Sequence, residues 1–194
     1  MTRVLLTGFE PFDGAEVNES WEAVRMAADA WSDPGIELVT ARLPVAFVEA
    51  PAAVLALAGE RGPLDAVINV GLDARTKEIA IERLAANIAD ARIPDNLGAQ
   101  PGDEPLTEGG PAGIWATLPT REIQKALADA EIPARLSYSA GAYVCNATFY
   151  RVAEALSGTG TRVGFIHVPP AAAMPLEETA RALSTVVKKA VSAD

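Results

Sequence analysis

Cysteine and histidine are almost missing from this sequence, which has one of each, Cys145 and His167, in 194 residues. A single thiol excludes an intramolecular disulfide, and a reactive one needs a reducing compartment. A zinc site would have to complete its ligand set with carboxylates at no recognised spacing, so neither metal nor cofactor is expected. Aromatic residues make up only 6% of the chain while apolar residues reach 49%, so Ala, Leu, Val and Ile must build most of the core. Positive charge is scarce as well. The 16 Lys and Arg against 26 Asp and Glu leave a formal net charge of −10, which argues against nucleic acid and anionic membranes as partners. The apolar run at the start, Val4-Leu5-Leu6, is far too short for a signal peptide, and no run approaches membrane-spanning length, so a cytoplasmic location is expected. There is no Gly-x-Ser-x-Gly elbow, and any serine nucleophile would depend on the same His167.

What is present alternates. Val4–Thr7 reads as a short buried strand, followed by a Gly/Pro loop over Gly8–Gly14 that matches neither nucleotide-binding fingerprint. Asn18 or Ser20 can cap a helix over Trp21–Trp31, and Ile36–Leu43 is a second strand ended by Pro44. Phe47–Glu60 is a helix, with Pro51 tolerated in its first turns, and Ala66–Val70 is a third buried strand running into Gly71. From Asp90 to Pro119 the chain carries five prolines and frequent glycine, a long irregular excursion of the kind that covers functional sites. Thr120–Ala130 then reads as a helix, Ala134–Tyr138 as a strand and Leu176–Val191 as an amphipathic helix with Lys188 and Lys189 at its C-terminal dipole. The pattern predicts an α/β fold in one domain spanning residues 1–194, a mostly parallel twisted sheet covered on both faces.

The two singletons carry the chemistry. Asn146 is a good N-cap for a helix running to Leu156, which places Cys145 just before the helix, where unpaired backbone N–H groups and the helix dipole favour thiolate. A lone cysteine is more often a buried core residue. His167 changes that balance: Val163, Phe165 and Ile166 read as a buried strand stopped by Pro169-Pro170, which puts His167 near its C-terminal end, and crevices in open α/β sheets form at such strand ends. Cys145 as nucleophile and His167 as base is the one Cys-His pair available. In Ile79–Asn87 a two-residue period puts Glu82 on one face with Ala80, Leu84 and Ala86, where a carboxylate needs a partner: an ordinary salt bridge, or a histidine to orient. Phe9 and Phe12 either plug the core or line an apolar pocket.

These same residues carry a resemblance. Thr7-Gly8-Phe9-Glu10-Pro11-Phe12-Asp13-Gly14 with Asn18-Glu19-Ser20-Trp21 is similar to the opening of the pyroglutamyl peptidase I family. Arg92-Ile93-Pro94-Asp95-Asn96 with Gly109-Gly110-Pro111 resembles its central motif, Ser139-Ala140-Gly141-Ala142-Tyr143-Val144-Cys145-Asn146 its nucleophile motif, and Phe165-Ile166-His167-Val168-Pro169 its histidine motif. The resemblance implies a three-layer α/β/α sandwich, a Cys145-His167-Glu82 catalytic group and a homo-oligomer, tetramer or dimer. It also implies pyroglutamyl peptides as substrates, their lactam ring held by Phe9, Phe12 and Tyr143, with Arg92 near the oxyanion. The chain departs from the family where Glu82 lacks a preceding Thr-Pro, and where Gly71-Leu72-Asp73-Ala74-Arg75 replaces Gly-Gln-Ala-Gly-Gly, putting Leu72 at a ring-recognition position. The segment after Pro170 is also shorter than in many members. A thiol amidohydrolase acting on another cyclic or acylated amide, and a binding module without turnover, are the alternatives.

Overall fold

The computed structural model describes residues 1–192. Its elements are β1 Thr2–Phe9, α1 Glu19–Asp29, β2 Ile36–Leu43, α2 Glu49–Arg61, β3 Ala66–Leu72, β4 Ile79–Glu82, β5 Leu84–Ala86, β6 Gly113–Trp115, α3 Thr120–Asp129, β7 Ala134–Ser137, α4 Val144–Ala155, β8 Arg162–Val168 and α5 Leu176–Val191. Six strands form one sheet in the order β2-β1-β3-β8-β4-β7. The first four run parallel, while β4 is antiparallel to β8 and parallel to β7, so the last two strands run backwards. The six residues between β3 and β4 explain the reversal, because returning to the other end of the sheet takes a crossover of a dozen residues or more.

Alternation along each central strand divides the core into two layers. Val4, Leu6, Ile68, Val70, Ile166 and Val168 face α1, α3 and α5, with Val24, Ile123 and Leu183 packed over them. Leu5, Phe9, Val67, Val163 and Phe165 face α2 and α4, with Val54, Phe149 and Val152 over them. The architecture is therefore a three-layer α/β/α sandwich around a mostly parallel sheet. Asn18 caps α1 by accepting from the Ser20 amide at 3.1 Å, and Ser20 in turn accepts from the Phe9 amide at 3.0 Å, which ties the helix start to the strand end. Gly8 makes that close approach possible, since a Cβ there would lie 2.6 Å from Trp21 Cα.

Three sequence expectations are corrected. The first strand continues through Gly8 and Phe9 and does not stop at Thr7. Ile79–Asn87 is not one strand with a common face: the ladder breaks at Arg83, and Leu84–Ala86 leaves the main sheet to pair with Gly113–Trp115 in a separate two-stranded sheet. That pairing, with a bridge between Ala89 and Glu104, also shows that the Asp90–Pro119 excursion is not wholly irregular. Its turns are stitched to the body by Asp95, which accepts from the amides of Phe47, Leu97 and Ala99, and by Asn96, which donates to Glu10 Oε1 and the Pro11 carbonyl.

Candidate active site

The site is built where β3, β8 and β4 lie side by side. In the β8 ladder Gly71 is opposite His167 on one side, and Ala80 is opposite His167 on the other, with Glu82 opposite Phe165. Pleating sends Gly71, Ala80, Glu82, Phe165 and His167 to the same face, the one covered by α4. Glu82 and His167 are thus diagonal neighbours across an antiparallel pair, and Glu82 Oε1 meets His167 Nδ1 at 2.8 Å. Both are almost completely buried, at 2% and 6% exposure. With Nδ1 given to the carboxylate, Nε2 is the ring nitrogen left to act on Cys145, whose thiol lines the same cavity.

Burial alone would push the imidazole towards its neutral form, but its hydrogen bonds and charge interactions with Cys145 and Glu82 outweigh that, and its pKa is pushed up to about 10. Among the described residues the Glu82 side chain makes only that one bond: its Oε2 is buried without a partner, as is Asn69 Nδ2 on β3, the strand beyond β8. A desolvated carboxylate that depends on a single partner gains most when that partner is charged.

Cys145 reaches this face from α4. It is the second residue of the helix, which starts at Val144 with Tyr143 at the N-cap position and no side-chain cap, and not the residue before the helix. Asn146, expected as the cap, lies inside the first turn and is fully buried. Its amide accepts from the Ala86 amide and donates to the Ala86 and Ile88 carbonyls, each at 2.9 Å, and so pins the nucleophile's helix to β5. The first intrahelical bond is Ala147 N–H to Tyr143 C=O, which leaves the amides of Val144, Cys145 and Asn146 outside the helix ladder. Gly71 gives the thiol its room, because a Cβ there would stand 2.7 Å from Sγ.

A cavity of about 340 Å³ opens over the thiol. Phe9, Phe12, Leu72, Arg92, Tyr143, Cys145 and His167 all line it, whereas Glu82 stands behind His167 outside the lining. The question left open for the phenylalanines resolves in two ways. Phe9 is 2% exposed and packs on Phe165 at 6.3 Å, forming the floor, whereas Phe12 is half-buried with its ring 6.3 Å from that of Tyr143. Tyr143 is held edge-on to Phe47 at 5.3 Å and donates its hydroxyl to the Pro94 carbonyl at 3.0 Å. The Arg92–Asn96 segment is thereby one wall of the site. Leu72 is half-buried at the end of β3, and Arg92 is exposed at the rim. Sequence reasoning missed Gly71 as a site residue, although a glycine at the end of a buried strand signals a close approach. It also missed Asn146 as a brace and Asp73 and Arg75 as lining. Among the described residues no three His, Cys, Asp or Glu side chains converge to hold a metal ion, and no helix is long and apolar enough to cross a membrane.

A nucleophile and base on a buried carboxylate, under an aromatic-lined slot, is a constellation for acyl transfer. Comparison with known proteins agrees with it. Residues 2–193 match the family model described as pyroglutamyl peptidase. The chain is 43% identical to the pyrrolidone-carboxylate peptidase of Thermococcus onnurineus over 98% of its own length and all of that protein's. It is 48% identical to that of Pseudomonas fluorescens over 87% of this chain and 79% of the relative. The solved pyroglutamyl peptidase I of Bacillus amyloliquefaciens superposes with a TM-score of 0.91 at 37% identity, covering 98% of this chain and 97% of that one.

Proposed function

This chain belongs to the pyroglutamyl peptidase family, and from that premise we propose that Cys145, His167 and Glu82 carry its reaction. It is a cysteine-type hydrolase that removes an N-terminal pyroglutamyl residue. The single observation that supports the residue assignment is the buried Glu82–His167 bond of 2.8 Å beside the chain's one thiol.

A pyroglutamyl residue has no N-terminal ammonium, so the pocket cannot select it by charge. Phe12 and Tyr143 supply flat apolar walls for the lactam ring over the floor of Phe9, with Leu72 at its edge. Cys145 Sγ attacks the exocyclic carbonyl after its proton has passed to His167 Nε2, while Glu82 holds the ring by Nδ1 and stabilises its charge. The oxygen that becomes negative is stabilised by amides at the start of α4, with Arg92 at the cavity rim adding positive potential. His167 protonates the departing amine, and then removes a proton from the water that releases pyroglutamate and restores the thiol.

The deciding experiment is release of a reporter amine from a pyroglutamyl amide, run beside prolyl and free glutamyl amides. Turnover of the first alone is expected, and its loss in Cys145→Ala with the fold intact. Cleavage of another amide in preference would overturn the substrate assignment, and full activity in Cys145→Ser would overturn the nucleophile. Residues 1–194 act in this reading as one catalytic domain in a reducing, cytoplasmic setting, which the free thiol favours. The chain associates into a homo-oligomer, dimer or tetramer. Exposed Trp115 and Tyr138, with the Arg83 guanidinium 5.4 Å from each ring, offer a face for that association, which light scattering would test.

A further inference from the structure

We propose that the peptide portion leaving the site passes over Arg75 and Lys77, so that this chain favours pyroglutamyl substrates with an acidic residue directly after the scissile bond. The inference rests on the activity proposed above. His167 must hand its proton to the departing amine, so the leaving portion lies on the histidine side of the thiol, away from the aromatic slot. Asp73 stands on that side. Its amide donates to the Val168 carbonyl at 3.0 Å, extending the β3–β8 ladder two residues beyond Gly71, the residue paired with His167.

There the active-site cavity meets a shallow depression lined by Asp73, Arg75, Thr76, Lys77, Glu78 and Arg135, with Asp73 and Arg75 common to both. Three cations stand against two carboxylates, which makes the patch +1 (3 − 2) on a chain of net −10. The carboxylates are engaged: Asp73 Oδ1 accepts from Arg75 Nε and from its amide, both at 3.1 Å, and Glu78 lies 3.6 Å from Arg135. Burial acts to raise the Asp73 pKa, but the hydrogen bonds and charge of Arg75, with a smaller contribution from His167, hold it below the usual carboxylate range. Asp73 therefore stays ionised and fixes the Arg75 stem. The bond uses Nε, leaving the two terminal nitrogens of a side chain that is 88% exposed to face a passing carboxylate. Lys77 adds a further positive charge.

The test measures kcat/KM for pyroglutamyl-X-Ala-amide with X as Glu, Gln or Lys. The overall negative charge of the protein favours the Lys peptide, so the two sources of charge predict opposite orders. At low salt the unaltered enzyme is expected to favour Glu over Lys by roughly two- to fivefold, the range of an exposed ion pair, with the ratio shrinking as salt rises. Arg75→Glu is expected to invert the ratio. If that variant does not fold, as judged by its melt, Lys77→Glu must still lower the ratio. A ratio of one or below in the unaltered enzyme, or one that neither substitution moves, overturns the proposal while leaving the peptidase activity standing. Failure of the unaltered enzyme to cleave any pyroglutamyl amide overturns both.

Discussion

Replacing Gly71 by Ala adds one methyl group at the most constrained point of the site. The new Cβ would stand 2.7 Å from Cys145 Sγ, 2.9 Å from Phe165 Cζ and 3.0 Å from Phe165 Cε1. Comfortable contacts lie at about 3.5–4 Å, so something must retreat by about 1 Å. Phe165 is fully buried between Phe9 and Phe149, whose ring centres are 6.3 and 6.1 Å away, and has nowhere to go. The thiol borders the open cavity and is the group that yields. A displacement of about 1 Å between reacting groups costs on the order of 100-fold in rate, while overpacking of this kind costs about 1–3 kcal/mol of stability. Gly71→Ala is therefore expected to fold, to melt a few degrees lower, and to lose about two orders of magnitude in kcat/KM on a pyroglutamyl amide, mostly in kcat. Steady-state kinetics with a thermal melt would show this. A variant with its melt unchanged and kcat within a few-fold of the parent would refute the argument that Gly71 makes room for the nucleophile.

Glu82→Gln keeps the shape of the Oε1–Nδ1 contact but removes its charge. Turnover should fall by about 10²–10⁴, less than in His167→Ala, and the imidazole should lose its proton at lower pH, seen as a downward shift in its NMR titration. Phe12→Ala should weaken binding of pyroglutamyl substrates by about 1–3 kcal/mol while Cys145 stays open to iodoacetamide, and loss of alkylation would place Phe12 in the fold and not in the slot. The folded pKa of His167 lies near 10, above its ordinary 6.5, so its pairing stabilises the fold fully below pH 6.5 and that contribution fades as pH rises towards 10. The melting temperature of the parent should accordingly fall more between pH 6.5 and 10 than that of His167→Ala, and parallel curves would contradict the assignment.

Much of this was legible from local pattern. The C-terminal helix begins at Leu176 and ends at Val191, as its apolar stripe predicts, and Asn18 caps α1 as its residue type suggests. The misreadings arose where distant backbone overrides local preference. Asn146 has the chemistry of a cap, but the open backbone groups of Ala86 and Ile88 compete for its amide, and no local rule can see them. The face shared by Ala80 and Glu82 was readable from a two-residue period, but its end at Arg83 was not, because Leu84–Ala86 finds its partner some thirty residues later in the excursion. The reversal of β4 did leave a signal in the short β3–β4 connection. Cys145 and His167 could be named as a pair from their rarity. The fit of the thiol against Gly71 could not, since it depends on the depth at which α4 settles on the sheet.

The backward run of β4 also has a bearing on how the chain acquires its chemistry. Glu82 and His167 are 85 residues apart, and the two strands flanking β4 in the sheet, β8 and β7, both come later in the sequence. During synthesis Glu82 and then Cys145 emerge with no imidazole to engage, and the thiol has no base until the eighth strand is inserted. Closing contacts of such long range is slow compared with forming helices. On refolding, peptidase activity should therefore return after the helical signal, with the last central strand acting as the switch that turns a folded scaffold into an enzyme.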